Sequence, residues 1–365
     1  MRKAPPANDN FSTLLLLLAI IVVLCILTEV ILRLIGSFST YAEKNGLEYK
    51  SLYDLGAIKW FATRVPGEHT IATADYTEII SINKLGFRDT DWPLEKGEHE
   101  VRVLTLGGSF VEGNGSLQLE SSYSHQLGLL LQQQLGNGVS LRVLNGGIAG
   151  SDPVENLQAL TRVFAQYRPD LIVQSLDEGD WKQDMLVRGG LDRYNADGSI
   201  SVQPPWFEPI YQHSHLARAI MKKVLGLNAG TLLSKAEREP KIDQAVIEVC
   251  RVLQEESDIA RSLDAHLAVV VMPDTADVLE GVVTDRMLAV EKCAAHYAAA
   301  VLNLGRELRQ RVPGTELAQL YWPTDKHFKP AGYALYAEIV AQAVQPLLAG
   351  HAGGEISGPA PGAVR

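Results

Sequence analysis

Two short stretches of this chain hold residues that can act together on a carbonyl. The first is Leu106-Gly107-Gly108-Ser109-Phe110-Val111-Glu112-Gly113, which sets a serine directly behind two glycines. The second lies far downstream, at Asp325-Lys326-His327-Phe328-Lys329-Pro330-Ala331-Gly332. A serine hydroxyl is a poor nucleophile at neutral pH until a base removes its proton, and histidine is the usual base. A carboxylate behind the histidine holds its tautomer and stabilises the imidazolium that forms. Ser109, His327 and Asp325 supply these parts. A single residue between acid and base is workable only on a loop, where Asp325 can fold back to the ring. Pro323 and Pro330 bracket such a loop. A plainer reading makes Gly-Gly-Ser a turn, Asp325 a helix cap and His327 a surface side chain.

The serine needs an element that lifts it to an accessible edge. Val101-Arg102-Val103-Leu104-Thr105-Leu106 is a short β-branched and aliphatic run, which reads as a buried strand. Stopping it at two glycines puts Ser109 at the carboxyl end of a sheet, where ligands bind in open α/β folds. From there the pattern alternates. Strands are expected over 101–106, 141–145, 171–175, 267–272 and 300–304, and helices over 122–135, 154–167, 242–265, 284–299 and 331–348. Apolar strands separated by amphipathic helices imply a doubly wound parallel sheet inside a three-layer α/β/α sandwich. The stretch 181–240 interrupts this rhythm and is too long for an ordinary connection. It carries Tyr194, Trp206, Tyr211, His213 and His215, and reads either as a lid or recognition surface over the site or as a surface excursion.

The 365 residues, 46% of them hydrophobic, can bury a full core and still carry appendages. A net charge of −10 with no clustered basic stripe argues against a nucleic-acid partner. Behind Arg2 and Lys3 runs an uncharged stretch from Phe11 to Thr28, enough to cross a bilayer if 29–35 share the far interface. A retained anchor is the expectation, with a cleaved signal peptide as the alternative; the short tail is then cytoplasmic and the remainder outside. The division is then a tail over 1–10, an anchor over 11–36, a mixed region over 37–100, the α/β domain over 101–349 and a disordered tail over 350–365. Within the mixed region, 77–83 reads as an edge strand, and Arg88 after the following turn is a candidate anion contact. Cys250 and Cys293 are expected as buried free thiols, with a bridge between them as the alternative. Asp177, Glu178, Asp180 and Asp184 read as solvated loop charge rather than a Ca²⁺ or Mg²⁺ site. No His/Cys set has zinc spacing, so neither metal nor cofactor is expected.

These residues resemble the SGNH/GDSL-type hydrolase family, in its membrane-anchored envelope branch. The likeness runs from about Asn83 to the last helix. Gly107-Gly108-Ser109 matches the block that bears the nucleophile, and Asp325-Lys326-His327 matches a one-residue variant of the block bearing acid and base. Asn145-Gly146-Gly147-Ile148-Ala149-Gly150 matches the second block, with Gly147 at the position whose N–H serves the oxyanion hole together with that of Ser109. Leu85-Gly86-Phe87-Arg88 resembles the lead-in of anchored members. The chain departs from the pattern twice. Gly108 stands where the family has aspartate, and in Asp177-Glu178-Gly179-Asp180 a glycine replaces the oxyanion asparagine. Asn114, Gln174 and Gln183 are candidates to replace it, and Asn114, Gln174, Asp180 and Arg88 are candidate substrate contacts.

The resemblance implies a flavodoxin-like sandwich and acyl transfer through an ester on Ser109. Water as second nucleophile makes an esterase or deacetylase, and a sugar hydroxyl makes an O-acyltransferase. An outward-facing, tethered domain points to small-molecule or glycan esters or lipids of the cell envelope. The competing reading is a catalytically silent glycan-binding or scaffold protein of the same fold, favoured by Gly179. Oligomeric state is left open.

Overall fold

The apolar alternation that begins at Val101 forms what it predicts. The structure, a computed structural model, describes residues 9–46, 59–136, 138–200 and 202–352. Helix α1 (Asp9–Ile35) and the short α2 (Tyr41–Lys44) precede a hairpin of β1 (Gly67–Ala72) and β2 (Thr77–Ile82). Then come β3 (Glu100–Gly107), α3 (Ser109–Glu112), α4 (Tyr123–Leu135), β4 (Ser140–Gly147), α5 (Pro153–Ala159) and β5 (Leu171–Asp177). Helices α6 (Met185–Arg188), α7 (Glu208–His213), α8 (His215–Lys223) and α9 (Lys235–Ser262) lead to β6 (His266–Met272). The chain ends through α10 (Thr275–Glu280), α11 (Asp285–Tyr297), β7 (Ala300–Asn303), α12 (Leu304–Arg311), α13 (Gly314–Leu317) and α14 (Pro330–Ala352).

Strands β4-β3-β5-β6-β7 form one five-stranded sheet in that order, parallel throughout. The order reverses at β3, and the crevice beyond its carboxyl end is the switch point where such sheets bind ligands. Alternate strand residues feed two cores. Leu104, Leu106, Ile172, Leu176, Val269 and Val271 pack with α5, α9 and α11 on one face. Val103, Val173, Val270 and Met272 pack with α4, α12 and α14 on the other. Three layers result, as the strand-helix alternation requires.

Several expectations need correction. β2 pairs only with β1 in a separate hairpin, so it is no edge of the main sheet. The helix expected over 154–167 is regular only to Ala159; a wide turn over Leu160–Phe164 and a tight one over Ala165–Tyr167 follow. That irregular segment sets Phe164 against Phe87 and Trp92, with ring centroids 4.9 and 5.5 Å apart. Helix α9 starts earlier than its apolar periodicity, because Ser234 and Glu237 form a capping box. Cys250 on α9 and Cys293 on α11 are disulfide-bonded, not free, their Cα atoms 5.8 Å apart. Helix α14 carries on through Gly350 to Ala352, so the expected tail does not begin at 350; 353–365 lie outside the described residues, as does the 1–8 part of the N-terminal tail.

Helix α1 is long and apolar enough to cross a membrane, with a mean hydropathy of 3.2 and none of it buried. Its last turns meet the insertion. The hydroxyl of Ser214 and the N–H groups of His215 and Leu216, at the start of α8, donate to the Glu29 carboxylate at 2.9, 3.0 and 2.7 Å. The insertion therefore is not a simple cover over the site. Its first part sends Trp181, Met185 and Leu186 into the main core, and α8 lies against α1.

One glycine decides how closely β4 and α3 approach. A Cβ on Gly147 would stand 2.2 Å from the Glu112 nitrogen and 2.5 Å from the Val111 carbonyl carbon, both rigid backbone. Gly147→Ala should cost about 3 kcal/mol of stability. Gly108→Ala should cost much less, because only the Ser151 carbonyl comes near, at 3.6 Å. Thermal unfolding of the two variants checks the ordering.

Candidate active site

Strand β3 delivers Ser109 by ending on a residue that must lack a side chain. A Cβ on Gly107 would meet Val111 Cγ2 at 2.6 Å and the Ser175 carbonyl at 3.0 Å. The chain then turns at Gly108, and Ser109 opens α3. The Ser109 carbonyl accepts the N–H groups of Gly113 and Asn114 at 2.9 and 3.1 Å, which closes the turn behind the hydroxyl.

The second stretch arrives from the loop before α14. His327 Nε2 lies 2.7 Å from Ser109 Oγ, and His327 Nδ1 contacts Asp325 Oδ1. The one-residue spacing works because Lys326 adopts a left-handed φ of 72°, curling Asp325 back onto the ring. The Trp322 N–H donates to the His327 carbonyl at 2.9 Å and the Lys326 N–H to the Trp322 carbonyl at 3.1 Å, closing the loop on itself. From outside, Thr275 Oγ1 donates to the Lys326 carbonyl at 3.2 Å, and Trp322 Nε1 to the Gly115 carbonyl at 3.0 Å. Asp75, on the β1–β2 turn, accepts the N–H groups of Thr324 and Asp325, both at 2.7 Å. The Tyr41 hydroxyl donates to Asp325 Oδ2 at 2.6 Å. Asp325 is thus no helix cap; α14 opens only at Pro330.

Electrostatics support an ionised acid beside the base. Burial alone would raise the Asp325 pKa, but the His327 hydrogen bond and charge, with the Tyr41 hydroxyl, hold it below the ordinary value. Asp177, at the carboxyl end of β5, is pushed up to about 6 by burial, with the Gly179 N–H and the His327 charge pulling the other way. The Phe110 ring packs beside the imidazole at 5.0 Å between centroids.

The other expected site residues divide. The Gly147 N–H is engaged by Asn145 Oδ1 at 3.0 Å, and Gly147 backs onto α3, so it does not offer the free donor assigned to it. The N–H of Gly150, three residues on, has no acceptor among the described residues, as is true of the Ser109 N–H. The neighbouring Ser151 carbonyl lies against Gly108, and the Gly150 carbonyl is pinned by Arg188 at 2.7 Å. Asn114 stays beside the serine; its carbonyl accepts the Tyr333 hydroxyl at 2.7 Å, and its side-chain oxygen is buried without a partner. Arg88 is 1% exposed, 3.2 Å from Glu78 and donating to the Gly113 carbonyl at 2.7 Å, so it is a buried ion pair and not an anion contact. Gln174 is fully buried within the sheet, its amide on the Ser175 carbonyl at 3.1 Å, and cannot touch a substrate there. Asp180 is buried and accepts the Asp177 N–H at 2.9 Å. Gln183 stands by Gly230. A Cβ on Gly179 would meet only Asp177 Oδ1, at 3.3 Å, so the site has room for a side chain there but no amide.

The acidic residues are not free loop charge. Burial pushes Asp184 up to about 7 and raises Asp180 well above its ordinary value. Glu178, Asp274 and Asp277 converge, and the Lys182 ammonium lies among them at 2.7, 3.1 and 3.4 Å. A cation supplied by the chain already occupies that cluster.

Tyr41, Asp75, Gly150 and Lys326 escaped sequence reasoning. Gly150 was visible as the last glycine of its block, but the contacts of Tyr41 and Asp75 cross the whole fold and leave no local signal.

No protein-family model matches the chain, and no curated protein does. Among solved structures, a two-domain esterase active on acetylated mannans aligns over 72% of this chain at 14% identity and a TM-score of 0.41. This chain spans about half, 52%, of that protein's length. A Clostridium thermocellum family 3 carbohydrate esterase aligns over 70% of this chain and 100% of its own, at 14% identity and a TM-score of 0.41. A lipase/acylhydrolase from Enterococcus faecalis aligns over 67% and 96%, at 13% identity and a TM-score of 0.38.

The left-handed residue between acid and base carries its own test. Lys326→Gly should hold or raise the melting temperature. Lys326→Ile should lose about 1–2 kcal/mol, since a β-branched side chain is strongly disfavoured at that φ.

Proposed function

We propose that this chain is a membrane-anchored serine ester hydrolase of SGNH/GDSL type, acting on O-acyl esters of envelope glycans or lipids. The observation that carries the reading is the 2.7 Å separation of Ser109 Oγ and His327 Nε2, with Asp325 against the far side of the ring. His327 Nε2 takes the Ser109 proton as Oγ attacks the acyl carbonyl, and Asp325 stabilises the imidazolium. The imidazolium then protonates the leaving alkoxide, and an acyl ester remains on Ser109. Water, activated by the same imidazole, releases the acid; a sugar hydroxyl in its place completes an O-acyl transfer. The free N–H groups of Ser109 and Gly150 are the donors for the oxyanion. With no amide at residue 179, turnover should be lower by roughly 10²–10³ than with a full set of donors.

Location narrows the substrate. Glu29, near the end of the apolar helix, is held by α8 of the α/β domain, which keeps that domain close to the bilayer surface. The Cys250–Cys293 bridge is in keeping with an oxidising compartment outside the cytoplasm. Arg2 and Lys3 favour the same orientation. Insoluble or membrane-bound esters, rather than free metabolites, suit an enzyme held in that position.

Labelling of the full-length protein in detergent by a fluorophosphonate is the direct test. Wild type should label, Ser109→Ala should not, and His327→Ala and Asp325→Ala should fall toward a common low floor, because the residues act as a unit. Undiminished labelling in Ser109→Ala would sink the enzyme reading and favour a silent glycan-binding protein. Separately, the protein should stay in membranes washed with alkaline carbonate, and protease should reach its α/β domain only from the exoplasmic side.

A further inference from the structure

The acid of the triad is held from a direction that the serine-hydrolase reading does not require. The Tyr41 hydroxyl, which donates to Asp325 Oδ2 at 2.6 Å, belongs to the short helix by which the chain leaves the apolar helix α1. We propose that Tyr41 is a positioning residue for the catalytic acid, so that the exit segment of the anchor forms part of the active site. This rests on the serine-hydrolase reading.

Tyr41 is not the end of a loose tether. Thr40 and Glu43 form a capping box that fixes the first turn of α2. Glu43 is paired with Arg218 of α8 at 2.6 Å, and Arg218 also donates to the Phe38 carbonyl at 3.0 Å. The start of α8 in turn holds Glu29 of α1. The insertion thus grips the exit segment on both sides of residues 36–40. With its backbone fixed there, Tyr41 keeps its ring half-exposed at the rim while its hydroxyl reaches an acid whose side chain is 3% exposed.

The hydroxyl has a distinct job among the groups around Asp325. His327 takes Oδ1, and the Asp75 carboxylate orders the backbone of Thr324 and Asp325. Tyr76, from the same turn as Asp75, is the other phenol facing this acid. Tyr41 occupies Oδ2 and so fixes the rotation of the carboxylate about its last bond. It also draws charge away from the oxygen that faces the imidazole. Removing it should have two separable effects. The carboxylate becomes freer to rotate, which slows the reaction. The charge on Oδ1 rises, which strengthens its hold on the protonated imidazole.

The experiment compares wild type and Tyr41→Phe as full-length proteins in detergent, reading Ser109 labelling by a fluorophosphonate against pH. The ring is kept, so folding should be preserved, and melting temperatures check this. The expected result is a maximal labelling rate lower by roughly three- to tenfold, the net worth of one ordinary hydrogen bond. The concentration for half-maximal rate should not change, and the acid limb of the pH profile should move to higher pH. A lower melting temperature with plateau and limb unmoved would make Tyr41 a mere packing residue and overturn the proposal. Wild-type plateau, limb and melting temperature together would overturn it as well. Failure of wild type itself to label at Ser109 would remove the serine-hydrolase reading and this inference with it, and is seen before the variant is examined.

Discussion

The hydrogen bond between Ser109 and His327 joins residues 218 positions apart, and most of the fold can be read as the means of closing it. Neither side chain can be placed by its neighbours alone. The serine depends on Gly107, where β3 passes Ser175 too closely for any side chain. The histidine depends on a loop that bonds to itself and is held by Gly115, Thr275 and Asp75, from three separate parts of the chain. A loop so heavily bonded can keep a lysine at positive φ, a conformation that costs energy and persists only where the surroundings over-determine it. That strain is what turns an acid two positions from the base into one that faces it.

Burying carboxylates at the carboxyl end of the sheet sets the second constraint. Each group left charged there needs a partner, since desolvation outweighs any weak attraction. Asp152 is held below its ordinary value against burial by Arg193, at 2.6 Å, and Arg188 lies 2.9 Å from Glu155. Glu178 keeps Lys182. Asp180 and Asp184, without comparably close cations, are raised by burial, and so are Glu155 and Glu178 in spite of theirs. Arg188 has a further consequence: by holding the Gly150 carbonyl it fixes the loop that presents the Gly150 N–H. The charge network below the site thus orders the backbone donors within it. The insertion supplies both arginines, which explains why its first part is bound into the core.

What was legible in the sequence followed from local physics. Alternation of apolar runs was enough to locate every strand of the main sheet, because a strand buried on both faces must be apolar along its length. The grouping of Ser109, Asp325 and His327 was legible because a serine behind two glycines and a proline-bracketed Asp-x-His are local features. Arg88 and Gln174 were misread for the opposite reason. A polar side chain near a motif in sequence can point into the core, and only the fold tells that Arg88 meets Glu78. That the Gly147 N–H is not free was likewise hidden, since Asn145 captures it through a side-chain bond that spacing does not reveal. The Cys250–Cys293 pair was open at the level of sequence because bonding requires α9 and α11 to be adjacent, which is a property of packing.

The least legible part is also where the apolar helix and the α/β domain meet. A tether would need only length and polarity, and nothing in its composition would have to match the domain. Here the match is specific: an acid inside the last turns of α1 meets the open N–H groups at the start of α8, a placement favoured by the helix dipole and by unsatisfied donors. A carboxylate so near the apolar stretch is costly in lipid unless it is capped. The α8 start caps it, so the placement of α1 depends on the folded domain, and the segment that follows can then carry Tyr41 to a fixed position. The insertion between β5 and β6 is therefore best understood as a collar. It ties the end of a single apolar helix to the edge of the sheet that carries Ser109.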